Sequence, residues 1–363
     1  MKILFVEPNE NTLYSFRKEL LDRLIEDGHQ VYIILAFGNR IEKDYKDKAA
    51  GLFNVDANLK SINLFKNVKL KQTYKKIIKT VKPDILMTYT IKPNLYCNLY
   101  SKKCFSIANI TGLGTAFNKN GILNKLVIMM YRKSFKNVDH IMFQNKFNYE
   151  TFRNANIPIN KYSIIPGSGV NIGKFKYKPL ENHDGCNFLF ASRFIKEKGI
   201  ELLIQAIPCI LDKNLNAHFT FIGKDENGYG DLIKKLIKKY PNNINWIPRT
   251  NDMLSFYENT DFTVSPSYYN EGISNILLES LAVGRPIITT KDNPGCMEIL
   301  NNEHNGIGVA SNDLNSLIAA LNKGLATEKE KIDLISKNGS KFVANNYNRN
   351  MVISEYIRII NSL

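Results

Sequence analysis

Short apolar runs alternate along this chain with longer segments in which apolar residues recur every three or four positions. The apolar runs are rich in β-branched side chains and predict strands. They cover residues 2–6, 31–35, 84–89, 106–109, 140–143 and 162–165, and then 187–192, 218–223, 244–247, 261–265, 286–290 and 306–310. Because these runs are apolar on both faces, they predict doubly wound parallel sheets with helices on either side, an α/β fold.

Segments with helical periodicity lie between most of the predicted strands. The first helix is predicted from the shared face of Leu13, Phe16 and Leu20, and it ends near Gly28. Further helices are predicted over residues 69–82, 93–102, 121–136 and 146–155, and then 199–212, 230–239, 251–257 and 274–283. Regular strand–helix alternation of this kind is typical of Rossmann-like domains.

One stretch, IIPGSGVNIGKFKYKPLENHDG, interrupts the alternation and is rich in Gly, Pro and Asn. It predicts a linker between two domains, at 1–171 and 172–349, and a chain of 363 residues is long enough for both. The last helix, about 350–363, is predicted to pack back on the first domain. We expect the two Rossmann-like domains to face a central cleft and to bind ligands beyond the carboxyl ends of their strands.

The excess positive charge lies almost entirely in the first half of the chain. Through Asn171 there are 27 Lys and Arg against 13 Asp and Glu, and from Ile172 onward 22 against 21. Such asymmetry predicts a polyanionic partner for the first domain, either nucleic acid or the anionic face of a membrane.

Targeting and metal-binding signals are weak. The apolar start, Met1–Val6, meets Glu7 and Pro8 at once, which indicates a strand instead of a signal peptide. The longest apolar runs are too short to span a bilayer, so we expect a cytoplasmic protein. The five cysteines are scattered, and with five dispersed histidines they predict reduced thiols and no metal site.

Two cations follow the first strand of the second domain. In ASRFIKEKGI, Arg193 comes directly after the strand and Lys198 stands at the start of the next helix. Two cations at a helix N-terminus form an anion site that suits a diphosphate. A solvated basic turn is the alternative.

A second candidate lies in SYYNEGISNILLESLAVGRP. Glu271 precedes a predicted helix and Glu279 lies within it, about 12 Å away if the whole path is helical. That span is too long for two carboxylates that share a proton, but it suits two carboxylates that each bind a pair of hydroxyls on one extended ligand. Gly272 lets main-chain amides approach a ligand, and Ser274, the predicted N-cap, and Asn275 add small polar groups.

A third candidate is INWIPRTND, between a strand and a helix. Main-chain groups near Arg249 could contact a nucleotide base there.

Taken together, Arg193, Lys198, the pair Glu271 and Glu279, and the motifs ESLAVGRPIITT and GCME resemble the retaining glycosyltransferases of family 4, which have the GT-B fold. The resemblance covers nearly the whole chain. Within that family, EGISNILLE, TGLGTAF and PGSGVNIGKF are most similar to N-acetylgalactosaminyl and galactosyl transferases that build bacterial surface glycans on a polyprenyl-diphosphate carrier.

The resemblance implies a role for each donor-side residue. Arg193 and Lys198 would hold the diphosphate of a uridine-linked nucleotide sugar, and Glu279 would bind the ribose hydroxyls. Glu271 would position the transferred sugar, with the backbone of Gly272, Ile273, Ser274, Asn275 and Ile276 near the sugar and phosphate. The glycosidic bond would keep its anomeric configuration, and no metal or other cofactor is expected.

The acceptor side is less similar to the family. The loop after the first strand, EPNENTLYSFR, has no glycine, yet Asn11 and Thr12 offer amides and Arg17 an acceptor-phosphate contact. Gly112 and Gly114, in a stretch without the family's histidine, are expected to line the cleft. The implied acceptor is a polyprenyl-diphosphate-linked saccharide at the inner face of the plasma membrane.

Two basic segments, residues 65–84 and 123–137, mix apolar residues with lysines and arginines. Each fits a crossover helix with its lysines in water, or a surface that binds an anionic leaflet. Two other functions remain open, a sugar-nucleotide 2-epimerase of the same fold and a basic nucleic-acid-binding protein. The sequence contains no helix-turn-helix, zinc-finger or RNP-like pattern, so we expect no nucleic-acid partner.

Overall fold

The computed structural model describes residues 1–55, 64–113, 117, 121–181, 183–269, 272–301 and 303–363. These residues form two compact units, Met1–Ser168 with Val352–Leu363, and Gly169–Met351. Each unit is built on one parallel sheet with helices on its faces, which confirms the predicted α/β fold class.

The sheet of the first unit contains seven parallel strands among the described residues. They are β1 Lys2–Asn9, β2 Gln30–Ala36, β3 Gly51–Asn54, β4 Ile85–Tyr89, β5 Phe105–Ile110, β6 His140–Phe143 and β7 Lys161–Ile164. Their order across the sheet is β3-β2-β1-β4-β5-β6-β7. Every residue of β4 and β6 is buried because helices cover both faces of these interior strands.

Two helical layers complete the first unit. Its helices include α1 Glu10–Phe16, α2 Lys18–Glu26, α3 Ile41–Tyr45, α4 Leu64–Val81, α5 Ile91–Cys97, α6 Ile122–Ser134 and α7 Lys146–Asn154. Helices α4, α5, α6 and α7 share one hydrophobic core with the sheet. Helices α1, α2 and α3 share the other core with the C-terminal helix, Arg349–Asn361. There the Asn109 amide donates a hydrogen bond of 2.6 Å to the Tyr356 hydroxyl.

The first predicted helix is two helices in the structure. Arg17 separates α1 from α2 with φ −135° and ψ −2°. The apolar periodicity continues through this break because Leu13 and Leu20 belong to the same core. The strand β3 was not predicted from the sequence, since its residues GLFN contain no β-branched run.

The sheet of the second unit contains six parallel strands among the described residues. They are β8 Cys186–Ala191, β9 Ala217–Ile222, β10 Ile244–Ile247, β11 Phe262–Ser265, β12 Ile287–Thr290 and β13 Gly306–Val309. Their order is β10-β9-β8-β11-β12-β13. The helices are α8 Ile200–Leu211, α9 Gly230–Lys239, α10 Met253–Glu258, α11 Asn275–Val283, α12 Pro294–Met297, α13 Leu314–Leu325 and α14 Lys329–Asn346, and the C-terminal helix is α15.

Arg285, just after α11, is a fully buried cation whose contacts are main-chain carbonyls. Its guanidinium donates hydrogen bonds of 2.9 Å to Tyr257, 2.7 Å to Lys178 and 3.0 Å to Glu258. Because a buried charge is tolerated only when it is hydrogen-bonded, these contacts make Arg285 a joint between α10, α11 and the segment that contains Lys178.

Replacing this joint should destabilise the second unit. We expect Arg285→Met to lower the free energy of unfolding by about 3 kcal/mol, because it leaves several carbonyls without their donors. Urea unfolding followed by the fluorescence of Trp246, the single tryptophan and part of β10, measures the change. The control, Arg193→Met, alters a side chain that is 45% exposed and should cost less than ~0.5 kcal/mol. Equal effects of the two substitutions would contradict the assignment.

Candidate functional site

The candidate site of the second unit lies where the strand order reverses. β8 and β11 are neighbours, but the chain continues from β8 to β9 on one side and from β11 to β12 on the other. The segments that follow these two parallel strands therefore diverge and leave a crevice beyond their carboxyl ends. Arg193 follows β8, and the loop 266–269 follows β11.

Close backbone contacts fix the turn that carries Lys198. This turn is a short 3₁₀ helix, Lys196–Lys198. Gly199 after it has φ +77°, and a β-carbon there would lie 2.3 Å from the Pro266 carbonyl oxygen. The Tyr268 amide also donates a hydrogen bond of 2.9 Å to the Glu197 carbonyl. The turn after β8 is therefore fastened to the loop after β11.

The structure brings Arg193 and Lys198 to the same aromatic ring. The Arg193 Cζ lies 5.9 Å and the Lys198 Nζ 5.2 Å from the ring centre of Tyr269. Arg193 also contacts Glu226, with 3.4 Å between Nη1 and Oε2. Two cations that converge at the carboxyl edge of the sheet form a site for a ligand with more than one negative charge.

The segment that leads into α11 is largely buried. Gly272, Ile273 and Ser274 are buried and Asn275 and Ile276 are half-buried. Ile273 packs in the core, so its backbone is what could meet a ligand. Ser274 is the N-cap, as predicted, although its side chain makes no capping hydrogen bond.

The geometry assumed for the two glutamates needs a correction. Glu271 lies outside the described residues. The helix begins at Asn275, and residues 272–274 are not helical. A continuous helical path from Glu271 to Glu279 is therefore wrong, and the span of about 12 Å that it implied no longer follows.

Glu279 lies about one turn into α11 and is half-buried. The fully buried Tyr257 donates a hydrogen bond of 3.0 Å from its hydroxyl to Oε2. Burial raises the pKa of Glu279 to about 7, and this outweighs the hydrogen bond from Tyr257 and the charges of Arg349 and Lys174. Near neutral pH the carboxyl group is thus present in both charged and protonated forms, and groups of this kind are common in binding sites.

Arg249 follows a different strand from Arg193 and Lys198. It is exposed and follows β10, the outer strand of the sheet, which β9 separates from β8. Its predicted contact with a nucleotide base stays a prediction.

The first unit has its own reversal of strand order, between β1 and β4. Asn11 and Thr12 lie in the first turn of α1, beyond the end of β1, where the Asn9 side chain accepts a hydrogen bond from the Thr12 amide. Gly112 follows β5 with φ 148°, and Gly114 lies outside the described residues. Asn11, Thr12 and Gly112 lie at the carboxyl edge of the sheet, and the acceptor role of the predicted residues stays a prediction.

Arg17 lies within the first unit and is 3% exposed. Its Cζ is 4.9 Å from the ring centre of Tyr89, and its Nε is 3.9 Å from the carboxylate of Glu7. Burial raises the pKa of Glu7 to about 7, despite the charge of Arg17 and a hydrogen bond of 3.0 Å from the Thr12 hydroxyl. Sequence reasoning did not single out Glu7, although a glutamate directly after the apolar run 2–6 was a visible signal.

No group of three or more His, Cys, Asp or Glu side chains within the described residues could hold a metal ion. The expectation that the protein needs no metal or other cofactor stays a prediction.

Comparison with known proteins identifies similar chains. A Glycosyl transferase 4-like family model matches residues 2–145, and a Glycosyl transferases group 1 model matches residues 172–342. The N,N'-diacetylbacillosaminyl-diphospho-undecaprenol alpha-1,3-N-acetylgalactosaminyltransferase of Campylobacter jejuni is 24% identical over 99% of this chain and 98% of its own length.

A second relative and a solved structure are similar over most of their length. The UDP-Gal:alpha-D-GlcNAc-diphosphoundecaprenol alpha-1,3-galactosyltransferase of Escherichia coli is 24% identical over 84% of this chain and 82% of its own. Anabaena HepE, in a crystal structure with UDP and glucose, aligns over 100% of both chains with a TM-score of 0.79 and 14% identity. The structural match supports the fold.

The raised pKa of Glu279 predicts a pH-dependent contribution to stability. As pH rises from 4.5 to 7, the unfolded chain ionises Glu279 while the folded chain keeps the proton, so the free energy of unfolding falls. Glu279→Gln should remove this fall, and Tyr257→Phe should extend it to higher pH because a hydrogen bond that lowers the pKa is lost.

Urea unfolding at a series of pH values, followed by Trp246 fluorescence, tests this contribution. A difference between wild type and Glu279→Gln that stays constant from pH 4.5 to 7 would show that the pKa of Glu279 is not raised.

Proposed function

The chain belongs to the family 4 glycosyltransferases of GT-B fold, with a Glycosyl transferase 4-like half followed by a group 1 half, and from this premise we propose the reaction that it catalyses. The enzyme transfers a hexose or N-acetylhexosamine from a UDP-linked sugar to a saccharide carried on a lipid diphosphate. The anomeric configuration of the transferred sugar is retained.

The convergence of Arg193 and Lys198 on Tyr269 carries this proposal. The two cations converge at the reversal of strand order, where α/β sheets bind nucleotides. When the bond between the sugar and the diphosphate breaks, negative charge develops on the leaving phosphate. Cations already positioned there stabilise the transition state more than the ground state, which is what accelerates the reaction.

The remaining donor-side residues bind the two ends of the nucleotide sugar. Glu279 accepts hydrogen bonds from the ribose hydroxyls in its charged form, and its half-buried position leaves one side open to a ligand. Glu271 positions the hydroxyls of the transferred sugar, and main-chain amides from Gly272 to Ile276 lie near the phosphate. The acceptor hydroxyl attacks from the face that the diphosphate leaves, so retention follows.

The nature of both substrates is inferred from the relatives. HepE was crystallised with UDP, and the name of the E. coli relative specifies UDP-Gal. Both curated relatives have diphospho-undecaprenol acceptors and alpha linkages in their names. We therefore assign this chain a uridine nucleotide donor and a polyprenyl-diphosphate-linked saccharide acceptor in bacterial surface glycan synthesis, with Asn11, Thr12, Arg17, Gly112 and Gly114 on the acceptor side.

An acceptor anchored in a membrane requires the enzyme to reach the membrane surface. Between Leu64 and Ser134 the sequence has 14 lysines and arginines and one acidic residue, Asp84. Helices α4 and α6 pack on the same core, so their outer surfaces belong to one layer. Four large apolar side chains of α6 are exposed there, Ile122 at 90%, Leu123 at 55%, Leu126 at 45% and Met129 at 59%.

Exposed apolar side chains among cations are the features that bind an anionic bilayer surface. We therefore propose that the first unit binds peripherally to the cytoplasmic face of the plasma membrane. Across the described residues, the helices are too short or too polar to span a bilayer.

Loss of either donor contact should abolish transfer. We expect Lys198→Ala and Glu279→Ala each to lower kcat/KM at least about 100-fold, because each removes a contact to the donor without removing core volume. The matched control is Lys196→Ala in the same turn, and it should retain transfer. The Lys196 side chain is 61% exposed and pairs with Glu201. The assay uses UDP-sugars and a short polyprenyl-diphosphate saccharide.

Two outcomes of these experiments would contradict the proposal. One is retained turnover in Lys198→Ala or Glu279→Ala. The other is the absence of any thermal stabilisation of the wild-type protein by UDP, GDP or their sugars.

The membrane proposal makes a separate prediction. Changing Lys71, Lys75, Lys76 and Lys79 of α4 to Gln should weaken sedimentation with vesicles that contain anionic phospholipid, since each lysine near the surface contributes about 1 kcal/mol. UDP binding should not change.

The control for this prediction is the same substitution in α9, a basic helix of the second unit. Lys234, Lys235, Lys238 and Lys239 are exposed and carry the same charge, so their replacement should leave vesicle binding intact. Equal loss in both variants would show that net charge alone matters, and no loss in the α4 variant would mean that its lysines only face water.

A further inference from the structure

We propose that Tyr269 is a positioning residue, which holds Arg193 and Lys198 in place for the two phosphates of the donor. The inference rests on the proposed function, because it takes a nucleoside diphosphate to be the ligand of these cations. The patterns of charged residues and glycines in the sequence did not indicate Tyr269.

The ring of Tyr269 offsets a repulsion that the site creates. Arg193 and Lys198 must point toward the same small volume to contact one diphosphate, yet two like charges repel each other when no ligand is present. The face of an aromatic ring attracts cations within about 6 Å of its centre. At 5.9 Å and 5.2 Å, Tyr269 is in range of both.

The backbone around Tyr269 is anchored, so the ring has a defined position. The buried side-chain amide of Asn293 donates hydrogen bonds of 3.0 Å to the carbonyls of Tyr269 and Ser267. The hydroxyl of Thr290 donates a further bond of 2.6 Å to the Ser267 carbonyl. These donors lie at and beyond the end of β12, the neighbour of β11, and they tie the loop to the sheet.

Arg193 is also held from a second direction. Glu226, at 3.4 Å, lies in a loop that Asp225 orders by accepting hydrogen bonds of 2.8 to 3.1 Å from the amides of residues 227–230. Burial would raise the pKa of Asp225, but these four bonds outweigh it and hold the pKa below its usual value. The Phe194 amide joins the same loop through a bond of 3.0 Å to the Lys224 carbonyl. Tyr269 and Glu226 thus orient one guanidinium together.

A residue that acts through these two cations should affect the diphosphate and not the nucleoside. Because the charge on the leaving phosphate grows in the transition state, loss of Tyr269 should lower kcat more than it raises KM. The hydroxyl of Tyr269 has no part in this role, so a phenylalanine ring should replace it.

The experiment compares Tyr269→Leu with Tyr269→Phe in the full-length protein. Dissociation constants for UDP and UMP are measured by calorimetry, and kcat and KM by transfer assay. Wild type and Tyr269→Phe should prefer UDP to UMP by the same factor. In Tyr269→Leu, the preference for UDP over UMP and the value of kcat should each fall about tenfold, while the affinity for UMP should change little.

A double-mutant cycle identifies the route of the effect. In a Lys198→Ala background, Tyr269→Leu should cost clearly less UDP affinity than it does in the wild type, because one of the two cations through which it acts is already gone. An equal loss of UDP affinity on Tyr269→Leu in the wild-type and Lys198→Ala backgrounds would overturn the inference. So would equal weakening of UDP and UMP, or a Tyr269→Phe variant as impaired as Tyr269→Leu.

The outcome for the wild-type protein separates this inference from the proposed function. If the wild type binds neither UDP nor any other nucleoside diphosphate, the proposed function fails and the inference fails with it. If the wild type prefers UDP to UMP and Tyr269→Leu keeps the full preference, only the inference is overturned.

Discussion

The reversal of strand order between β8 and β11 is the constraint on which the candidate site of the second unit depends. Because the two strands are parallel neighbours, both end at the same edge of the sheet, and because their connections leave in opposite directions, neither connection covers that edge. Residues far apart in the sequence, such as Arg193 and Tyr269, meet there for that reason. The first unit repeats the arrangement at β1 and β4, so each half of the chain has one open position of this kind.

Much of this architecture could be predicted from the sequence, because buried parallel strands are continuous apolar runs and their ends fix where a ligand can bind. Arg193, Lys198 and Glu279 could be singled out as candidates because each stands at a strand end or in a helix that follows one. Glu226 and Tyr269 were missed, since their contacts with Arg193 join loops that follow different strands. The break at Arg17 was also missed, because the apolar periodicity continues across it.

Tyr257 connects the stability of the second unit with its site. Its carbonyl accepts a hydrogen bond from the buried guanidinium of Arg285, and its hydroxyl donates one to Glu279. One fully buried residue of α10 therefore both closes the structural joint and adjusts the pKa of a carboxyl group at the site. A substitution at Arg285 that shifts Tyr257 would consequently disturb both properties.

The return of α15 to the first unit has a consequence for the order in which this protein folds during synthesis on the ribosome. Val352, Tyr356, Ile359 and Ile360 complete a core whose other members include Ile3 and Phe5 of β1. The N-terminal strands leave the ribosome early, yet one face of their sheet stays partly uncovered until the whole second unit has been translated. Until then, chaperones or rapid completion of the chain must protect that apolar face from aggregation. A fragment that stops at Ser168 would expose the face permanently.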